Sequence, residues 1–258
     1  MEEILQVNEL CKTFTLSRKQ QRLEGTAVRR KVAVDHLSFG ACRGEIFGLL
    51  GPNGAGKTTT LRMLSTLIRP DSGDALLDGY SVVSQPEEVR AKIGFLTSEL
   101  KLEDFFTPNY LFDFFSRLHR VEPAVAAERK RQMFERFGID RFAEVKVANL
   151  STGMKQKLSL VISLVHAPEV IIFDEPTNGL DVLTARTVTD YLEELRAEGR
   201  TIILSTHIFS LVERLCDRVG IIIDGRMTAC GTLGEVCDGL SLEDRFFELY
   251  KAQKGGEE

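Results

Sequence analysis

The chain holds 258 residues, 43% of them hydrophobic and 28% charged, a balance that fits a folded globular protein and excludes a disordered or fibrous one. Lysine and arginine number 33 against 38 aspartates and glutamates, so a net charge of −5 leaves no global basic field, and no nucleic-acid partner is expected. Apolar runs such as Ile46 to Leu50 are strand-sized, far short of the roughly eighteen residues that cross a bilayer. The acidic opening Met1-Glu2-Glu3 does not resemble a secretory leader, and a cytoplasmic protein is expected. Five cysteines, Cys11, Cys42, Cys216, Cys230 and Cys237, form no Cys-x-x-Cys pair and are odd in number, which argues for reduced thiols and against a disulfide framework or structural zinc.

Strand-like segments come first, at Val7 to Phe14, Val32 to Phe39 and Glu45 to Leu50, with Gly40 and Gly44 marking the last turn. Between the first two lies a basic stretch, Ser17 to Lys31, in which Arg18, Lys19, Arg22, Arg29, Arg30 and Lys31 face a single acid, Glu24; it reads as a solvated hairpin or loop. From Gly51 the texture turns to β-loop-α. A glycine-rich turn leads into a helix from Lys57 to Ile68, with Leu61, Leu64 and Ile68 on one face and Pro70 as its stop. Strand-like Ala75 to Leu77, a short helix from Pro86 and strand-like Ile93 to Leu96 precede two helices over residues 108–137, an α-rich insertion. Then follow a helix from Met154 to Val165, a strand Val170 to Phe173, a helix Thr184 to Arg196, a strand Ile202 to Leu204, a helix His207 to Leu215 and a strand Val219 to Ile223. Strands alternating with helices imply an α/β fold with a mostly parallel sheet, and the unbroken apolar strands suit burial on both faces.

Gly51-Pro52-Asn53-Gly54-Ala55-Gly56-Lys57-Thr58 matches G-x-x-x-x-G-K-[ST], directly after a strand and directly before a helix. Small residues let backbone N–H groups close around phosphate oxygens, and the helix N-terminus adds partial positive charge. Lys57 supplies a full charge to the β- and γ-phosphates, the Thr58 hydroxyl is a Mg²⁺ ligand, and Thr59 falls close to the phosphates. Such a site needs a second half, an apolar strand ending in carboxylates. Val170-Ile171-Ile172-Phe173-Asp174-Glu175-Pro176 supplies it, with Asp174 for Mg²⁺ or one of its waters and Glu175 as the general base.

Leu150-Ser151-Thr152-Gly153-Met154-Lys155-Gln156 resembles the LSGGQ signature of ABC transporter ATP-binding subunits. Asp174 through Asp181 resembles that family's Walker B and D-loop block, and Ser205-Thr206-His207 its switch histidine. The order and spacing agree from about Ile4 to Gly231. The resemblance implies a P-loop NTPase (RecA-like) core with an antiparallel β subdomain and an α-helical insertion. It divides the chain into an ATP-binding core (1–97 and 167–240), a helical signature subdomain (98–166) and a C-terminal helix and tail (241–258). It further implies ATP and Mg²⁺ as cofactors and two subunits head to tail, expected to be a homodimer. Ser151 and Gly153 of one subunit would contact the γ-phosphate held by the other, His207 would position that phosphate and the water, and Asp181 would link the two sites. Phe14 falls where the family stacks an aromatic ring on adenine.

Two departures from the family pattern stand out. Ser98, beside Glu99, occupies the place of the usual glutamine and is a candidate metal ligand of shorter reach. Thr152 and Met154-Lys155 replace glycine and glutamine in the signature. Together with Gly44 to Leu50, these look most like the sodium-extrusion (NatA-like), ABC-2-type exporter branch. The function implied is an ATPase subunit that energises export through a separate integral-membrane permease, placing it on the inner face of the cell membrane. The docking surface is expected beside Ser98 to Phe115, rich in Phe105, Phe106, Tyr110, Phe112, Phe114 and Phe115. The alternative is a soluble ABC-type ATPase acting on macromolecules or in cofactor assembly. His36, His119 and His166 are read as structural.

Overall fold

The computed structural model describes residues 2–23, 25, 27–97 and 102–255. The chain opens with β1 (Glu3–Thr15), a short helix α1 (Arg18–Leu23) and β2 (Arg30–Cys42), followed by β3 (Ile46–Leu50), α2 (Lys57–Leu64), β4 (Ser72–Leu77) and β5 (Tyr80–Ser81). Next come α3 (Pro86–Lys92), β6 (Ile93–Thr97), α4 (Pro108–Leu118), α5 (Pro123–Phe137) and α6 (Thr152–Ser163). The remainder is β7 (Val170–Asp174), α7 (Val182–Ala197), β8 (Thr201–Thr206), α8 (Phe209–Leu215), β9 (Arg218–Ile223), β10 (Arg226–Thr232), α9 (Leu233–Cys237) and α10 (Leu242–Lys254).

Two sheets result. The six-stranded sheet runs β10-β9-β3-β8-β7-β6, parallel throughout except for the β9–β10 hairpin. The four-stranded sheet runs β2-β1-β4-β5 and is antiparallel. Every residue of β3, β7 and β8 is buried, because both faces of the larger sheet are covered. The period of two sorts their side chains between two cores. Ile46, Leu50, Ile171, Phe173, Ile202 and Leu204 face the helical side with α6, α7 and α8, whereas Phe47, Leu49, Val170, Ile172 and Ile203 face α2 and the antiparallel sheet. Leu111, Phe112, Met133, Phe134 and Phe137 of the insertion join the first of these cores, with Phe112 and Phe134 edge to face at 5.6 Å. The α/β class, the mostly parallel sheet, the antiparallel sheet and the helical insertion all match the sequence reading.

Several boundaries differ. The basic stretch contains the short helix α1 where a hairpin or loop was expected, although Leu16 N–H still bonds Arg29 O across its ends at 2.8 Å. Helix α2 stops at Leu64 instead of Ile68: Thr66 turns to a φ of 61°, and Thr66 and Leu67 N–H groups reverse onto Met63 O and Arg62 O. Helix α8 begins at Phe209, so His207 lies in the bend before it. The sequence reading missed β10 entirely, because its alternation is weak: only Gly231 is fully buried there, and the strand is an edge.

Candidate functional site

The P-loop is shaped by backbone crowding. Gly56 takes a φ of 105°, and a Cβ there would lie 2.3 Å from Ala33 O; at Gly51 a Cβ would lie 2.3 Å from Ile222 O. Only glycine fits either place. The loop therefore closes over the start of α2 and delivers Lys57, 5% exposed, into its centre. There Lys57 Nζ donates to Gly51 O at 2.6 Å and Pro52 O at 3.2 Å. Burial pushes this ammonium below its usual range, against the opposing pull of Glu175 and Asp174.

The end of β7 faces this loop. Asp174 is buried, and its Oδ1 accepts from the Thr58 hydroxyl at 3.0 Å and from the Ser205 hydroxyl. Thr58 and Asp174 thus offer two hard oxygens side by side at the P-loop, a donor set that fits Mg²⁺ held partly through water. Glu175 follows at a φ of 55°, a strained position for a non-glycine residue, with its N–H held by Ser205 O at 3.1 Å and Ser205 Oγ at 3.2 Å. This kink aims its carboxylate, 14% exposed, toward His207 Nδ1 at 3.0 Å and Lys57 Nζ at 3.7 Å. His207 itself is 44% exposed. The sequence reading placed Ser205 only as the lead-in to His207 and gave it no role; β7–β8 pairing places it opposite Asp174.

Lys57, Thr58, Glu175 and His207 line one open cavity of about 440 Å³ together with Phe14, Thr15, Leu16, Lys31, Ala33, Pro52, Asn53, Gly54, Ala55, Gly56, Thr59 and Asn178. Phe14 forms its far wall, with Lys12 Nζ 5.9 Å from the ring centroid. Ser151, Gly153 and Asp181 do not line it. Ser151 is the N-cap of α6, its Oγ accepting from Met154 N–H at 3.3 Å, and it is exposed. Gly153 lies beside Asp181, since a Cβ there would come 4.0 Å from Asp181 Oδ2. Asp181 spends both carboxylate oxygens on capping α7, accepting from Leu183 and Thr184 N–H groups and from the Thr184 hydroxyl at 2.7 Å. Ser98 and Glu99 lie outside the described residues.

A glycine loop closed over a helix start and a buried lysine, facing a strand that ends in two carboxylates, defines a P-loop nucleoside triphosphatase. The chain belongs to the ABC transporter family, whose pattern its residues 34–178 match. It is 37% identical over 213 residues to the ABC transporter ATP-binding protein NatA of Bacillus subtilis, covering 82% of this chain and 87% of that one. It is 36% identical over 214 residues to the linearmycin resistance ATP-binding protein LnrL of the same organism, covering 83% and 69%. A solved ATP-binding subunit of an ABC transporter superposes with a TM-score of 0.84 at 29% identity, over 96% of this chain and all of that one. The chain is therefore an ABC-family ATPase, a nucleotide-binding protein that hydrolyses ATP. No helix among the described residues is long and apolar enough to cross a membrane.

Proposed function

We propose that two copies of this chain close head to tail around two ATP molecules and drive a separate membrane permease that exports a small solute or drug-like molecule. The observation that carries this reading is that Ser151 and Gly153 do not line the P-loop cavity of their own chain, while Ser151 stands exposed as the preformed cap of α6. Ser151 Oγ accepts within the cap, so its hydroxyl proton remains available to a γ-phosphate presented from another copy. Export is supported by relatives named for linearmycin resistance and for daunorubicin/doxorubicin resistance, the latter from Streptomyces peucetius.

In this reading residues 1–97 and 167–240 form the ATP-binding core, 98–166 the moving helical unit and 241–258 a C-terminal brace. Thr58 and Asp174 would hold Mg²⁺, which when bound would neutralise phosphate charge. Phe14 stacks on the base, and the backbone N–H groups of 53–58 with Lys57 grip the phosphates. Glu175 takes the proton of the attacking water, and His207, hydrogen-bonded to it, orients that carboxylate and the γ-phosphate. Closure then moves the helical unit against the membrane partner, which holds the chain at the inner face of the membrane.

The test is Glu175→Gln with ATP and Mg²⁺ on size exclusion. The variant is expected to keep ATP, lose turnover and run as a dimer. Full residual hydrolysis would reject Glu175 as the base, and a monomer with bound ATP would reject head-to-tail closure. Recovery of an integral-membrane protein with the native chain separates the exporter from an ATPase working without one.

A further inference from the structure

Away from the nucleotide cavity, the pairing of β1 with β2 gathers a second set of ligand atoms. Cys11 lies on β1, and Asp35 and His36 on β2; a sulfur, a carboxylate oxygen and a ring nitrogen from them lie within 4.8 Å of one another. Among the described residues no other three His, Cys, Asp or Glu are so placed. The backbone bends to achieve it. The two strands slip register on both sides of Leu10, and Glu9 and His36 take left-handed φ values of 51° and 48°. Bulges and non-glycine residues at such angles persist where the surroundings hold them and gather at functional positions.

Each group is prepared for a cation. The His36 backbone N–H donates to Cys11 Sγ at 3.3 Å, fixing the sulfur beside the Asp35 and His36 side chains. Arg226 grips Oδ2 of Asp35 at 2.6 Å and 2.7 Å, while Oδ1 faces His36 Nδ1 at 2.7 Å. An arginine fixing the outer oxygen of a carboxylate is the kind of contact that orients a metal ligand.

The geometry points to a zinc-binding site on the antiparallel sheet, with Cys11 Sγ, Asp35 Oδ1 and His36 Nδ1 as ligands and water completing a tetrahedron. One thiolate, one carboxylate and one neutral imidazole balance the charge of a divalent ion of borderline softness. Binding releases the Cys11 thiol proton to solvent and replaces the 3.6 Å contact of that thiol with Glu9 O. The sequence spacing that argued against zinc concealed this set, because its members meet only across the β1–β2 pairing. The site also adjoins the strand that braces the P-loop, since Ala33, whose carbonyl limits Gly56, precedes Asp35 on β2.

The test titrates the full, nucleotide-free chain with Zn²⁺ by calorimetry, and with Co²⁺ by absorbance. One equivalent should bind, with a thiolate-to-cobalt charge-transfer band. Cys11→Ala should abolish the band and weaken zinc at least tenfold, His36→Asn should weaken zinc at least tenfold with the band kept, and Cys230→Ala, at an exposed thiol elsewhere, should change neither. Absence of stoichiometric binding to the native chain, or native affinity in His36→Asn, overturns the assignment. Asn tolerates the left-handed angle at 36, so that variant decides even where Cys11→Ala does not fold.

Discussion

At the scale of single residues, the site is organised by Ser205 as much as by the acids it serves. Its hydroxyl donates to Asp174 Oδ1, and its hydroxyl and carbonyl oxygens both accept from the Glu175 N–H, so one residue fixes the Asp174 carboxylate and the backbone turn from which Glu175 projects. Ser205→Ala is expected to lower kcat by about tenfold, the worth of one hydrogen bond to a charged group, while nucleotide affinity changes little. A steady-state ATPase assay beside a nucleotide-binding titration checks this split. Lys57 is the opposite case. Its buried ammonium meets mostly loop carbonyls, with Glu175 at 3.7 Å, so a phosphate is its natural counter-charge. Lys57→Ala should weaken ATP binding by about ten- to a hundredfold, read by fluorescence titration.

At the scale of elements, the helical insertion is held to the sheet by contacts of unequal kinds. Phe112 of α4 is fully buried against Phe134, and Phe112→Ala should cost about 3 to 5 kcal/mol in urea unfolding. The outer face of α4 is different: Phe105, Phe106, Tyr110 and Phe114 form a ladder of neighbouring rings at 4.2, 4.3 and 6.3 Å, and Phe105 is 62% exposed. If this ladder receives the membrane partner, Phe105→Ala leaves ATPase activity of the isolated chain intact and lowers recovery with that partner. Undiminished recruitment and transport would refute the docking role. Between α4 and β6, His119 and His166 stack at 4.0 Å, and His166 Nε2 donates to Ile93 O at 2.9 Å. Burial first, and the neighbouring His119 next, push His166 down from 6.5 to about 4. The unfolded chain therefore takes up this proton first, so stability present above pH 6.5 is lost as pH falls toward 4, by at most roughly 3 kcal/mol. Urea midpoints at pH 7 and pH 5 should differ, and His166→Gln should narrow the difference.

At the scale of the whole molecule, the P-loop cavity is not lined by Ser151 or Gly153 of the same chain, and in the proposed function the two meet only across a pair of copies. Turnover in the isolated subunit should then depend on association, with specific activity falling on dilution below the dimer dissociation constant and rising cooperatively with ATP. Constant specific activity across a hundredfold dilution would show that one chain suffices.

The sequence by itself determined the glycine loop between a strand and a helix, the carboxylates at the end of β7 and the α/β class. Each is a local pattern in which neighbouring elements sit together in the chain, although the carbonyls that crowd Gly51 and Gly56 belong to Ile222 and Ala33. It also determined the signature cap, because a serine before a helix needs no distant partner. Only the tertiary structure decided what Ser205 does, that His207 precedes α8 with its ring against Glu175, that β10 forms the sheet edge, and that Cys11 meets Asp35 and His36. The Ser205 and Cys11 contacts depend on register between paired strands, and a slip of one residue would send every side chain to the other face. Packing, not composition, sets that register.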